Sequence, residues 1–364
     1  MSEEKQMTYA GAGVNYESMD PFKIACQKRA SLTSQNAERL GITSLEWTRG
    51  ESVFLSNLGG HYLGHVEEGL GTKNLVADAM AKITGKSYYD KIAQDTVAMI
   101  VNDAITLGIF PATIAMHLAV EDSSWFDDEK RVHSLIKGWG DACDLAGCIW
   151  SGGETPTLKD IIVPGASLLS GSAVGICRSN INPSKITDGD VIVILESSGI
   201  HANGLSLARK IAGKIFHGYE SLLPDERTYG ETLLDPTHIY CDFIEECVHC
   251  GIDIHYSVNI TGHGWRKFMR ANQLFSYVIQ QLPTQLPIFD FIQEFGPVSD
   301  EEAYGNLNMG AGFVLYISQK DVEKLPTSPR FKSFVAGYVE KFPVKRVIIE
   351  PKNIVFEAET LAVR

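Results

Sequence analysis

Apolar positions along the chain switch repeatedly between a spacing of two and a spacing near 3.6, which predicts a mixture of strands and helices. The first 50 residues read as a loop followed by a helix over 21–39. The run VFLSNLGGHYLGHV consists of short apolar segments around glycines and predicts strands joined by turns. Over 88–108 the residues Ile92, Val97, Ile100, Val101, Ala104 and Ile105 recur at helical spacing. A strand, PATIAMHLAVED, follows, and 128–146 returns to the helical period and stops at Gly147, a helix-ending signal. CIWSGGET reads as a strand entering a glycine turn, and LSGSAVGICR as another strand. The polar, turn-rich RSNINPSKITDGD then interrupts the pattern before VIVIL restarts it as a buried strand. This break divides the chain into expected domains 1–177 and 178–364. The second half adds helices over 205–215 and 239–250 and strands in ANQLFSYVI, AGFVLYI, FVAGYVE and RVIIEPKNIVF. The alternation indicates an α/β (α+β) fold.

Composition narrows the function classes. The 364 residues suit two domains, and 44 % hydrophobic with 21 % charged residues suits a chain that buries a full core. No apolar run reaches the roughly 18 residues of a membrane span, and the N-terminus MSEEKQMTYAGAG shows no secretory leader. A net charge of −13 argues against nucleic-acid and anionic-membrane partners while leaving room for a phosphorylated metabolite. Seven scattered cysteines fit a reducing, cytoplasmic setting. Cys247 and Cys250 form a CxxC without a second paired element, so they read as structural rather than metal-binding or redox residues.

The chain has no GxxxxGK[ST] loop, GxGxxG fingerprint, GxSxG elbow or HExxH pair. It has instead five glycine turns or polar interruptions that could carry chemistry. In Glu67-Glu68-Gly69-Leu70-Gly71-Thr72-Lys73, glycines allow close backbone approach to a phosphate, Lys73 adds charge, and the carboxylates could hold Mg²⁺. Asp95, Asn102 and Asp103 interrupt an apolar helix. Asp95 and Asn102 share a face, which suits either a metal or buried hydrogen bonds. Ser151-Gly152-Gly153-Glu154-Thr155 follows a strand. In 196–204 a strand opens through Ser197, Ser198, Gly199, His201, Asn203 and Gly204 into a helix bearing Arg209, a geometry that gathers backbone N–H groups around phosphate. Asn259-Ile260-Thr261-Gly262-His263-Gly264 is a further glycine loop, followed by the basic Arg266, Lys267 and Arg270. On spacing alone, His201 and His263 read as structural, and Met99 and Met309 as packing residues.

In this order, over about residues 8–340, the motifs resemble the phosphoribosylformylglycinamidine cyclo-ligase (aminoimidazole ribonucleotide synthetase) family. TYAGAGVN is similar to its Y-x-x-A-G-V-x, EEGLGTK to D-G-V-G-T-K, and QDTVAMIVNDAITLGIFP to D-x-x-A-M-x-x-N-D-x-x-x-x-G-A-x-P. SGGET matches G-G-E-T, SSGIHANGLSLARK resembles S-S-G-x-H-S-N-G-x-S-L-x-R-K, and LLDPTHIY resembles L-L-x-P-T-R-I-Y. The resemblance implies N-terminal domains that pair into a dimeric β-barrel, a C-terminal α/β sandwich, and ATP with Mg²⁺ as cofactors. The implied reaction is cyclisation of formylglycinamidine ribonucleotide through an iminophosphate in purine biosynthesis. It also implies metal ligation by Glu68, Asp95 and Glu154, and catalytic roles for Lys73, Asp95 and His201, the last in proton transfer. Nucleotide contacts would come from Gly69, Gly71, Thr72, Lys73, Asn102, Asp103, Gly152 and Gly153. Substrate contacts would come from Ser197, Ser198, Gly199, Asn203, Gly204, Arg209, Thr261, Gly262 and Gly264. On this reading Lys73→Ala stops ATP turnover in an intact fold. The chain departs from the pattern at Glu68 (Asp in the family), His238 (Arg), Asn259 (His), His263 (Gly) and Gly305 (Arg). These changes make a paralogue with another acceptor, or a noncatalytic nucleotide-binding one, the competing readings.

Overall fold

The computed structural model describes residues 7–361, so residues 1–6, on which the leaderless reading partly rests, lie outside it. The chain is built on two sheets. Helix α1 (Tyr16–Ser31) precedes β1 (Ile42–Ser44), β2 (Phe54–Leu58) and β3 (His61–Gly69). Then come α2 (Lys73–Thr84), α3 (Tyr89–Ile105), β4 (Ile109–Val120), α4 (Glu129–Ala146), β5 (Ile149–Glu154) and β6 (Ser167–Cys177). The first sheet runs β1-β2-β3-β6-β4-β5, antiparallel except where α4 carries the chain from β4 to its parallel neighbour β5.

The second half contains β7 (Val191–Glu196), α5 (Leu205–Ala212), α6 (Tyr229–Leu233), α7 (Cys241–His249), β8 (Ile254–Asn259) and β9 (Phe275–Ile279). It continues through α8 (Pro287–Phe295), α9 (Asp300–Asn306), β10 (Ala311–Ile317), β11 (Ser333–Lys341), β12 (Arg346–Ile349) and β13 (Ile354–Glu357). Its sheet runs β13-β12-β9-β11-β7-β10-β8. Central strands β7 and β10 are buried almost end to end, as their unbroken apolar runs require.

The two faces of the first sheet differ. Along β6, Leu169, Gly171 and Ala173 are buried beneath the helices, while Leu168, Val174 and Ile176 point the other way and are roughly half exposed. Helix α3 lies between the covered face and the second half, where it meets α7 and β8. It is therefore buried nearly all round. Gly138 of α4 permits a very close approach to α3, since a Cβ there would come within 2.3 Å of the Asp90 carbonyl oxygen.

The expected helices over 88–108 and 128–146 correspond to α3 and α4. Asp128 caps α4 by accepting from the Arg131 N–H, and left-handed Gly147 ends it. The first helix differs from the expected 21–39. Asn15 caps it through the Glu17 N–H, it ends at Ser31, and a 3-10 turn continues over Ser34–Leu40. Pro21 sits inside it rather than at its start. The carbonyl that proline leaves unpaired belongs to solvent-exposed Glu17, which relieves the usual penalty. Strand β8, IHYSVN, is wholly buried although half its residues are polar, because each polar side chain has a partner. His255 Nδ1 lies 2.6 Å from Asp190, Ser257 donates to the Thr106 carbonyl, and Asn259 donates to Asp103.

Candidate active site

A helix buried on all sides cannot carry unpaired polar groups. Three polar residues of α3, Gln94, Asp95 and Asn102, are paired with the segment 235–240 from the second half. Asp95 accepts from the Thr237 N–H at 2.8 Å and from the Thr237 hydroxyl. Asn102 donates to the His238 carbonyl at 2.8 Å and accepts from the Tyr240 N–H at 3.1 Å. Gln94 donates to the Thr237 carbonyl. Lys73, the first residue of α2, places its ammonium 2.8 Å from Asp95 Oδ2 and donates to the Asp235 carbonyl, with both side chains fully buried. The QDTVAMIVND and LLDPTHIY motifs thus hold each other, and the buried-hydrogen-bond reading of Asp95 and Asn102 is the one the geometry favours.

The expected metal set does not converge. Asp95 is committed to Lys73 and Thr237. Glu154 lies in the row Gly69–Ser170–His117–Glu154 across the first sheet, one row from Glu68–Gly171–Met116–Gly153. Adjacent rows point to opposite faces, so Glu154 is on the open face and Glu68 on the helix-covered face, three strand spacings or about 14 Å apart. Gly152 and Gly153 lie beside Glu154 on exposed β5. Lys73 has no free face for a phosphate. His201 is also away from any opening. It is buried, its Nε2 accepts from the Ser198 N–H, and burial holds its imidazole well below its ordinary pKa, in the neutral form. The Ser197-Ser198-Gly199 turn is satisfied internally, through Asn308 and the Pro236 carbonyl. Gly204 is the left-handed cap of α5, Arg209 sits beside Tyr219, and Gly71 and Thr72 form the turn before α2.

What the fold does bring together is a cleft of about 460 Å³ between the two halves. Glu68, Gly69, Met99 and Asp103 line it from the first half, Asn203, Thr261, Gly262, His263, Lys267 and Arg270 from the second, and Tyr16 and Lys23 from α1. Burial, with Asp103 close by, pushes the Glu68 carboxyl well above the usual carboxylate range. Burial and the neighbouring Arg270 pull the Lys267 ammonium down to about 8. Lys267 donates to the Asn259 carbonyl and the Thr261 hydroxyl, and Asn259 in turn donates to Asp103 at 2.8 Å. Arg270 is fixed by Ser52, by the Gly50 carbonyl and by Glu51, whose carboxylate lies 3.5 Å away. Lys267 and Arg270 were legible in the sequence only as basic residues after the glycine loop. Their spacing of three was the available signal, because residues 264–269 form a 3-10 turn in which every third residue shares a face.

Among the described residues no three His, Cys, Asp or Glu side chains cluster as a metal site. Glu68 and Asp103 form a two-carboxylate donor set. That set suits Mg²⁺, which binds through one or two carboxylates together with substrate phosphates. Cys247 is buried on α7 and Cys250 is exposed just after it, both as free thiols.

The family model described as AIR synthase related protein, N-terminal domain, matches residues 68–177. A phosphoribosylformylglycinamidine cyclo-ligase of Methanococcus maripaludis is 34 % identical over 314 residues, spanning 82 % of this chain and 86 % of its own. One from Methanocaldococcus jannaschii is 37 % identical over 287 residues, spanning 74 % and 78 %. The chain belongs to the phosphoribosylformylglycinamidine cyclo-ligase family. Solved structures with the same fold include thiamine monophosphate kinase from Aquifex aeolicus, with a TM-score of 0.54, 15 % identity and coverage of 82 % and 90 %. Hydrogenase maturation protein HypE has a TM-score of 0.57, 16 % identity and coverage of 83 % and 91 %.

Departures from the cyclo-ligase family pattern have local structural accounts. At Gly305 a Cβ would meet the Arg266 guanidinium at 3.4 Å, and Arg266 donates to the Gly305 carbonyl and to Asn306. A guanidinium from the facing loop therefore fills the space beside the position where the pattern has Arg. His263 stacks on Tyr16 with ring centroids 3.6 Å apart, and its N–H donates to the Tyr16 hydroxyl, fastening α1 to the cleft. His238 packs against Tyr240 and Phe331, outside the cleft.

Proposed function

We propose that the chain catalyses the ATP-dependent cyclisation of formylglycinamidine ribonucleotide to aminoimidazole ribonucleotide, with release of ADP and phosphate, in cytoplasmic purine biosynthesis. The observation that carries this reading is the cleft in which Glu68 and Asp103 face the 261–264 loop and Lys267 across the junction of the two halves. Family membership over most of the chain supports the same reaction. No helix among the described residues is long and apolar enough to cross a membrane.

A formamide oxygen leaves poorly, so the reaction needs it phosphorylated first. The formamide oxygen bonds to the γ-phosphorus of ATP as the bond to the β,γ-bridging oxygen breaks. ADP departs with the electron pair, and the formamide N–H proton passes to solvent. The amidine nitrogen of the same molecule then bonds to the activated carbon, loses its proton, and phosphate leaves with the C–O electron pair. Holding both groups on one substrate supplies effective molarity on the order of 10⁵ M or more. Mg²⁺, when bound, would be held by Glu68 and Asp103 and would neutralise charge on the transferring phosphoryl group. The 261–264 loop and Asn203 would orient the ribonucleotide, and Tyr16 and Lys23 of α1, which also line the cleft, would limit water entry. His201, buried with its acceptor occupied, has no part in proton transfer on this reading.

The proposed domains, 1–177 and 178–364, divide the chain between β6 and β7. We also infer a homodimer. Leu168, Val174, Ile176 and Ile149 leave an apolar open face on the first sheet, and a sheet face of this kind is stabilised by burial against another layer. A second copy of the same face would provide that layer, and closure of two such sheets gives the barrel the resemblance implies.

The test is an assay of purified protein with ATP, Mg²⁺ and formylglycinamidine ribonucleotide, following ADP and the aminoimidazole product. Equimolar formation of both is expected. ADP release without the aminoimidazole would assign the chain another acceptor, and binding without ADP release would make it a noncatalytic paralogue.

A further inference from the structure

We propose that Lys267 is a catalytic residue whose ammonium holds an oxygen of the phosphoryl group in transit from ATP to the formamide. This rests on the reading above and adds a residue to which the motifs give no role. Phosphoryl transfer is driven by positioning and by cations set against the equatorial oxygens, so the site needs a positive charge that is not already spent. Lys73 is spent on Asp95 and the Asp235 carbonyl. Arg270 is held by Ser52, the Gly50 carbonyl and Glu51. Lys23 lies 3.4 Å from Asp20 and its side chain is 39 % exposed, where solvent screens it.

Lys267 differs from all three. It lines the cleft and is only 9 % exposed. Two of its three protons go to the Asn259 carbonyl and the Thr261 hydroxyl, both neutral acceptors, so no hydrogen-bonded carboxylate cancels its charge. Those two bonds fix the amine in the cleft, and Asn259, which accepts from it, also donates to Asp103. The amine thus stands near the carboxylates that would hold the cation, where the nucleotide's terminal phosphate would meet it. In the transfer step the γ-phosphorus exchanges its bond to ADP for one to the formamide oxygen. Lys267 keeps its proton and stabilises the charge spread over the three oxygens of the group in flight.

Lys267→Met should lower kcat for ADP release about 10²-fold, the usual loss for one such charge, while the KM for the ribonucleotide changes less than about threefold. A kcat within about threefold of wild type would overturn the proposal. Because Lys267→Met also removes two buried hydrogen bonds, a second measurement uses the wild type. The native enzyme is treated with acetic anhydride, and modification of Lys267 is read by peptide mass spectrometry. A nonhydrolysable ATP analogue with Mg²⁺ should protect Lys267. An amine that does not react, that reacts equally with the analogue present, or that is protected by the ribonucleotide alone contradicts contact with the γ-phosphoryl group. ADP release without aminoimidazole product would refute the cyclisation reading while leaving this test of Lys267 intact.

Discussion

Lys73 and Asp95 show how the same letters can serve structure instead of chemistry. A fully buried ion pair is expensive to break, because the survivor is left charged and unsolvated. Lys73→Met should therefore cost about 3–5 kcal/mol, seen as a lower urea midpoint, rather than stopping turnover in an intact fold. Glu68→Gln should behave in the opposite way. Burial already disfavours the Glu68 anion, so the amide should melt no lower than wild type, while Mg²⁺-dependent ADP release falls at least about 10²-fold. Histidines set the acid limb of stability. Burial lowers His238 to about 4, and burial with Lys267 nearby lowers His263 to about 3. Unfolded histidine takes its proton near pH 6.5, so the unfolded chain binds more protons below that value. Stability should fall as pH drops from about 6.5 towards 4, and His238→Phe should shallow the fall in urea midpoints measured between pH 7.5 and 5.

Helix α3 is the element on which the arrangement turns. The helical spacing of its apolar residues gives the helix and its approximate length, yet Gln94, Asp95 and Asn102 face the second half of the chain. Asn102→Ala would strand the His238 carbonyl and the Tyr240 N–H in the interior, at about 2–4 kcal/mol for two orphaned backbone groups. Differential scanning calorimetry should show that loss. A melting temperature equal to wild type would mean that the α3 contact to 238–240 contributes nothing. Gly138 has the complementary role, since it lets α4 approach α3 without a Cβ between them. In α1 the local signal misled. Pro21 looks like a helix start, but the capping side chain of Asn15 begins the helix five residues earlier.

At the level of assembly, the open face of the first sheet is the feature to test. Val174→Glu puts a charge at the centre of that face, and size-exclusion chromatography should show the variant at the size of one chain where wild type elutes at two. A wild-type protein that elutes as a single chain at micromolar concentration refutes the dimer directly. The cleft sits at the junction of the two halves, so its contents depend on how α3 seats against the 235–240 segment as much as on either half alone.

Sequence periodicity determined most elements and the mixed α/β class, because these depend on local spacing, while the family came from the resemblance of motifs in their order along the chain. Six of the expected site residues, Glu68, Gly69, Asp103, Asn203, Thr261 and Gly262, do line the cleft. Only the tertiary structure decided that Asp95, Lys73 and Asn102 are joints, that Glu154 faces away from Glu68, and that Lys267 lines the cleft hydrogen-bonded to neutral acceptors. The physical reason is that a polar residue in an apolar helix signals only that a partner must exist. Whether that partner is a ligand or another stretch of the same chain depends on what packs against it, and on which face of a sheet each strand position points to.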